Sequence, residues 1–588
     1  MYIPETAKVN QAQGEVADER EAALKKTVYE FIRLVRTGSF IAVFEDTEGR
    51  QKLTALARSD SSWPAIVSRA ILAETYDQVG LYRQAEEFAT FEIGKQYLAQ
   101  LQNDISHGNA KRDMVRAQAM LILQCAVSQL RRQSTQKHAL ALLDHTIGVI
   151  DKINNESELR SLHVRSLFYF WRGRLYSMQY NFNEAADDFQ YALDVADQNL
   201  AEKLPDKIDE ARRNEQVAAG NYTLSTCLGF GLGQLRQLEG KLVESLQYLR
   251  VAVPLSRGSV DFHRRGYAHL LIGIALRSRG RMDQHNNDLR AADEHLTEAR
   301  RLLGGTEEKH LPHHLHLARV YHQLALSRYN RIGRNCEDLK EAEEMNNKAE
   351  EESNNEACKE HRDPVLDYGI AVARSLITTD LRNYVEARRS ADSAIEMFPK
   401  LPRVTHGWAW VAKGMALAGA LPDASSDYGE AERAFKQALS EEVRVTDRAA
   451  AHLHLALLYA KVGSTDKASI HYDRAIELVP QSEHGWIRDL AKRVEQTLGE
   501  KGMGYRCSFD VSELLRHANK DEGAWRYIED FVSREIRSKL MRLMDSEIRD
   551  KGVPAVADEL GIGQATLYLW LRQAGIKLDR PRKKTTSN

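Results

Sequence analysis

The chain lacks the features that mark several large protein classes. Its 588 residues include five cysteines, Cys125, Cys227, Cys336, Cys358 and Cys507, which lie far apart with none in a CxxC pair. That spacing argues against a disulfide framework and a zinc site, and it suits a reducing compartment. Charge of one sign is also missing, because the formal net charge is −2. A protein that gripped nucleic acid along its whole length would be clearly basic, so any such contact must be local. The most apolar stretch, Trp408 to Leu421, is too short to span a bilayer and contains Lys413. Met1 to Glu21 is polar and has no apolar run of the kind a signal peptide needs. These absences predict a soluble cytoplasmic protein that does not enter membranes. Proline is scarce, at twelve residues, and strand-like alternation is hard to find, which predicts an all-α fold.

Catalytic signatures are missing too. No P-loop, HExxH, nucleophile elbow or triad-like grouping is visible, so neither an enzyme nor a cofactor is expected. Gly229, Gly231 and Gly233 mimic a phosphate loop, but no strand precedes them, and their spacing predicts helix packing instead. His310, His313, His314 and His316 are dense enough to suggest a metal. However, Pro312 interrupts them and no ligand-spaced Cys or carboxylate accompanies them, so a solvent-exposed loop and helix start is expected.

What the chain does have is internal repetition. One spacing runs Ala73, Tyr76, Gly80, Tyr82, Ala85, Ala89, and it recurs as Gly173, Tyr176, Tyr180, Phe182, Ala185, Phe189, Ala192. It returns as Gly233, Gly240, Leu242, Ser245, Leu249, Ala252, and most clearly as Leu455, Ala456, Tyr459, Gly463, Ala468, Tyr472, Ala475, Pro480. Partial copies centre on Ala139, Gly273 with Gly280, Ala342, Ala387 with Ala391 and Ala394, and Gly414 with Ala431, Phe435 and Ala438. Small residues at two fixed places let two helices approach, and large residues between them fill the groove.

This pattern resembles the tetratricopeptide repeat over roughly Trp63 to Gly499. The resemblance implies an α-solenoid of helical hairpins whose concave face grips a peptide, a protein or a small signal. The period departs from the family's: the twentieth-position residues are 54 apart from Ala85 to Ala139, 60 from Ala185 to Ser245 and 37 from Ala431 to Ala468. Longer helices or intervening loops are therefore expected. Asp283 to Asn287 and the acidic run Glu341 to Glu360 are predicted to be longer hairpin arms or exposed loops.

The C-terminal stretch Val556 to Ile576 reads VADELGIGQATLYLWLRQAGI. A short helix carries Val556, Ala557 and Leu560. Gly561 breaks it, Ile562 plugs the turn, and a second helix carries Thr566, Leu567, Tyr568, Leu571 and Arg572. Upstream, Trp525, Ile528, Phe531, Val532, Ile536, Leu540, Leu543, Met544 and Ile548 recur at three- and four-residue spacing, and Gly552 and Pro554 close that helix. This order resembles the Fis-type DNA-binding domain of bacterial activators. The resemblance implies that the second helix enters the major groove and that the preceding helix pairs two subunits.

On that reading Gln564, Thr566, Tyr568 and Arg572 face DNA, and Lys577, Arg580, Arg582, Lys583 and Lys584 form a basic arm. Phe531 to Asn588 holds twelve Lys and Arg against seven Asp and Glu, a net of +5 in a chain that is otherwise acidic. Trp525, Ile528, Phe531, Val532, Leu540, Leu543, Leu569 and Trp570 make the expected dimer or docking face. Leu569 and Trp570 depart from the family, which usually places basic or polar residues after the tyrosine, and Gly563 replaces the usual capping serine.

The predicted organisation is a helical cap over 1–60, the repeat array over 61–500, a linker over 501–523 and the helix-turn-helix domain over 524–588. The expected function is a homodimeric transcription regulator that binds double-stranded DNA through its C-terminal domain and a peptide or protein in its groove. The alternative is a non-enzymatic adaptor in a stress or phage-defence complex, with the C-terminal domain used for docking or dimerisation.

Overall fold

The computed structural model describes residues 25–35, 40–59, 62–107, 111–130, 133–153, 163–201, 223–256, 262–280, 288–304, 312–330, 335–356, 358, 363–401, 405–420, 427–439, 443–479 and 484–500, together with Val553 and Leu571. Every regular element among them is helical, as expected, and no strand occurs among the described residues. No helix among them is long and apolar enough to cross a membrane. The helices pack as successive antiparallel hairpins. These include His163–Met178 with Phe182–Ala201, Phe262–Arg279 with Asp288–Leu303, and His314–Tyr329 with Cys336–Ser353. Further pairs are Pro364–Asp380 with Tyr384–Glu396, Gly407–Gly419 with Asp427–Gln437, and Val445–Lys461 with Thr465–Leu478. The helix Gly485–Glu500 follows the last pair.

Five of the hairpin turns are built alike. In each, one residue takes a left-handed conformation just past the first helix: Gly80 at φ 82°, Tyr180 at 62°, Gly240 at 82°, Arg382 at 63° and Gly463 at 80°. The next residue's N–H reaches back five positions, as in Leu81 to the Tyr76 carbonyl at 2.8 Å and Ser464 to Tyr459 at 2.9 Å. The left-handed residue itself reaches back three, as in Gly80 to Asp77 at 3.1 Å and Arg382 to Thr379 at 3.0 Å. This is the double bond of a Schellman cap, which satisfies the last carbonyls of the first helix and reverses the chain within two residues.

The repeat residues sit where two helices touch. Ala85, Ala139, Ala185, Ser245, Ala342, Ala387, Ala431 and Ala468 are all buried, and so are the large fillers Phe189, Leu249, Phe435, Tyr459 and Tyr472. A β-carbon on Gly173 would lie 2.9 Å from the Phe189 ring, so the helices approach as closely as that glycine allows. Each fully buried aromatic filler contributes about 2–3 kcal/mol by leaving water. The acidic run after Glu341 is a hairpin arm: Cys336–Ser353 is one helix with Ala342, Asn346 and Ala349 buried.

The core is a chain of apolar clusters. The first gathers Phe40, Leu72, Tyr97, Leu121 and Phe168, and another lies around Val411, Leu453, Tyr472 and Leu498. Between them in sequence, Phe170, Phe189, Leu228 and Ala252 share a cluster with Val553 and Leu571. Distant hairpins also meet. Gly80 faces the His313 ring, Gly240 faces His484, and the backbone of Gly485 abuts the Gly280 carbonyl so closely that any side chain there would collide. These returns close the array around one interior.

Candidate functional site

The DNA-facing candidates Gln564, Thr566, Tyr568, Arg572, Lys577, Arg580, Arg582, Lys583 and Lys584 lie outside the described residues. So does the expected docking face, from Trp525 to Leu543 with Leu569 and Trp570. Leu571, read from the sequence as an apolar position of the recognition helix, is buried.

The described array lines a partly open cavity of 1080 Å³. Its walls come from the first helices of the later hairpins, each of which turns one stripe inward. On His314–Tyr329 that stripe is Arg319, His322, Gln323, Leu326 and Tyr329, and on Gly485–Glu500 it is Trp486, Asp489, Leu490, Arg493 and Thr497. Steps of three and four keep each set on one helical face. Phe262–Arg279 supplies Tyr267, Ile274 and Arg277, and Val445–Lys461 supplies Asp447, Arg448 and His454. Tyr180, one of the two non-glycine residues at the left-handed turns, also lines the cavity.

The electrostatics of this wall follow from burial. Arg277 is half-buried on the cavity wall, and burial alone pushes its guanidinium down to about 10. It donates to Gln323 Oε1 at 2.9 Å and Ser278 Oγ at 3.2 Å, both neutral acceptors. Arg319 meets Asp363 at 2.7 Å. Arg444 lies 3.5 Å from Asp447, whose side chain is 1% exposed while that of Arg444 is 42% exposed. Arg444 also lines the cavity. Burial lifts the Asp447 carboxyl to about 6 against the pull of Arg444. Histidines on the wall are held neutral: burial first, then Arg444, Arg277 and Arg488, pushes His484 down to about 3. Burial and then Arg493 push His454 to about 4.

Two expectations about tempting motifs resolve differently. Gly229, Gly231 and Gly233 do pack helices. They lie in a π-helix over Thr226–Gly233, where their missing side chains admit Ala252, Phe189 and Leu249 respectively. The histidine run does begin a helix, but it is not a solvent-exposed loop. His313 is 3% exposed, caps the helix by accepting from the His316 N–H at 3.4 Å, and stacks on the His316 ring at 3.9 Å. His314 bonds Glu352 at 2.6 Å. The return of Gly80 and Tyr82 onto His313 explains this burial, a contact across more than two hundred residues that no local pattern reveals. Among the described residues no three His, Cys, Asp or Glu side chains are grouped to hold a metal ion.

The cavity residues were not singled out by sequence reasoning. The available signal was an arginine or histidine set in the apolar register of a repeat's first helix, as at Arg277, Arg319 and His454. No protein-family model matches the chain, and no curated protein matches it significantly.

Proposed function

We propose that the chain is a DNA-binding transcription regulator that works in the cytoplasm as a homodimer. Its helical array holds a peptide, a protein segment or a small signal, and residues 524–588 read double-stranded DNA. The observation that carries this reading is the helix–Gly–helix spacing of Val556 to Ile576, set in a segment of net charge +5 within an otherwise acidic chain. The cavity supports the ligand-binding half, since a concave site lined by aromatic and charged side chains suits a signal receptor. Ligand occupancy changes the curvature of the array and so the spacing of the two reading heads.

The test is retention of random genomic DNA fragments by the purified protein at two salt concentrations, followed by sequencing. A two-fold symmetric motif is expected, and its absence refutes the reading. In a gel shift Arg572→Ala weakens binding to all sequences, whereas Gln564→Ala relaxes sequence preference. A second reading rests on Leu569 and Trp570, neither of which can neutralise a phosphate. In that reading the C-terminal domain docks a protein partner within an adaptor complex. Replacing both residues with arginine then abolishes assembly, and intact assembly counts against it.

A further inference from the structure

The interior cavity holds charge that the protein leaves unbalanced. Five carboxylates and five arginines stand on its wall. Four carboxylates are engaged, Glu239 with Arg236 at 2.6 Å, Asp363 with Arg319, and Asp380 and Asp489 with partners of their own, and the fifth, Asp447, has Arg444 at 3.5 Å without a hydrogen bond. Three arginines have no carboxylate partner among the described residues: half-buried Arg277 has the neutral Gln323 and Ser278, half-buried Arg448 has a buried Nε without an acceptor, and Arg493 is exposed at the wall. Guanidinium groups that lack a carboxylate partner are ready donors to an anion, in short charge-assisted hydrogen bonds.

Asp447 presents the opposite need. Its carboxylate is almost wholly buried, and neither oxygen receives a hydrogen bond, because the 3.5 Å approach of Arg444 is too poorly directed to count as one. A ligand with N–H groups would satisfy it. Trp408 and Trp486, with ring centres 5.0 Å apart, also line the cavity and offer flat apolar surface. A volume of 1080 Å³ lies at the upper end of what encloses a small organic ligand.

We propose that this cavity binds a nucleotide, with its phosphate among Arg277, Arg448 and Arg493, its planar base on the tryptophan wall and an N–H edge of the base on Asp447. This rests on the reading that the array is the ligand-binding part of the chain, and it names the class of ligand. A guanine base fits best, since its N1–H and 2-amino group form a pair of donors that a carboxylate accepts side by side, whereas adenine presents an acceptor at N1.

The experiment is isothermal titration calorimetry of the full chain with GMP, AMP and pyrophosphate at matched ionic strength. Saturable binding is expected, tightest for GMP. Arg277→Gln and Arg448→Gln each weaken it by about tenfold or more. Arg290→Gln, at an exposed pair with Glu294, leaves it unchanged. Circular dichroism of each variant establishes that it folds. Asp447→Asn removes the preference for GMP over AMP and spares pyrophosphate, a split that a merely unfolded variant does not produce. No saturable binding of any probe, or wild-type affinity in both arginine variants, overturns the proposal. Displacement of bound GMP by a neutral hexapeptide at lower concentration overturns it too. DNA retention without nucleotide binding refutes this inference alone, whereas nucleotide binding without DNA retention refutes the regulator alone.

Discussion

The same substitution, glycine to alanine, is expected to act with opposite sign at Gly148 and Gly414. Both lie inside helices, Gln136–Ile153 and Gly407–Gly419, so each replacement gains about 1 kcal/mol of helix propensity. A β-carbon on Gly148 meets nothing within 4 Å, and only that gain remains. At Gly414 the new carbon lies 2.5, 2.6 and 2.7 Å from Cε1, Cδ1 and Cζ of Phe435. Relief requires a shift of about 1 Å to reach normal carbon contact. The ring cannot supply it freely, because Phe435 is 1% exposed and lies parallel to His454 at 5.7 Å. Overpacking of this kind costs about 1–3 kcal/mol, which outweighs the helix gain. The assay is urea unfolding followed by circular dichroism and by the fluorescence of Trp408 and Trp410, which share the helix of Gly414. Gly148→Ala raises the midpoint and Gly414→Ala lowers it. Equal increases in both would refute the claim that close helix approach at the repeat's small residues holds the hairpins together.

Arg382 is exposed and occupies the left-handed cap position that glycine fills in three sibling turns, so Arg382→Gly is expected to stabilise by about 0.5–1 kcal/mol in the same unfolding assay. Tyr180→Gly relieves comparable strain but removes a ring from the cavity wall, and it is expected to gain less. Among the described residues Glu74 has no hydrogen bond or ion pair, and burial, with Asp77 adding and Arg264 opposing, lifts its carboxyl from 4.5 to about 8. Its folded form therefore favours the proton. Its contribution is fully present below pH 4.5 and is lost as pH rises through 8. Glu74→Gln is accordingly expected to match the wild type near pH 4.5 and to exceed it by about 2 kcal/mol or more at pH 8. A pH-independent difference would contradict this.

The hairpins were legible because their causes are local. Ala185 and Phe189, or Ala468 and Tyr472, are close in sequence and touch across one turn, so spacing alone identifies them. The irregular period was legible as a fact but not as a structure. Between Ala85 and Ala139 its source is an additional helix, Phe91–Ser106, and between Ala185 and Ser245 the helix Phe182–Ala201 alone runs to 20 residues. The histidine run was misjudged for the converse reason, since what buries His313 arrives from Gly80.

The cavity was hidden by the same logic carried further. Arg277 and Arg319 fall on the inward stripe of their helices, and in sequence a single charge among apolar neighbours does not tell whether it meets water or a cavity. Whether that charge meets bulk solvent or a shared interior depends on how far the array curls, which sums a small rotation at every hairpin. The curl closes where Gly485 meets the Gly280 carbonyl and the helix after it packs on Phe262–Arg279. Closure changes the physics of unchanged residues. Arg277 becomes half-buried beside neutral acceptors, and Asp447 becomes a buried carboxylate that receives no hydrogen bond. Loosening the closure should therefore return these groups to water and abolish any affinity they confer. Gly485→Val places a branched side chain against that carbonyl, so it tests the dependence of the site on closure while leaving Arg277, Arg448 and Asp447 themselves unchanged.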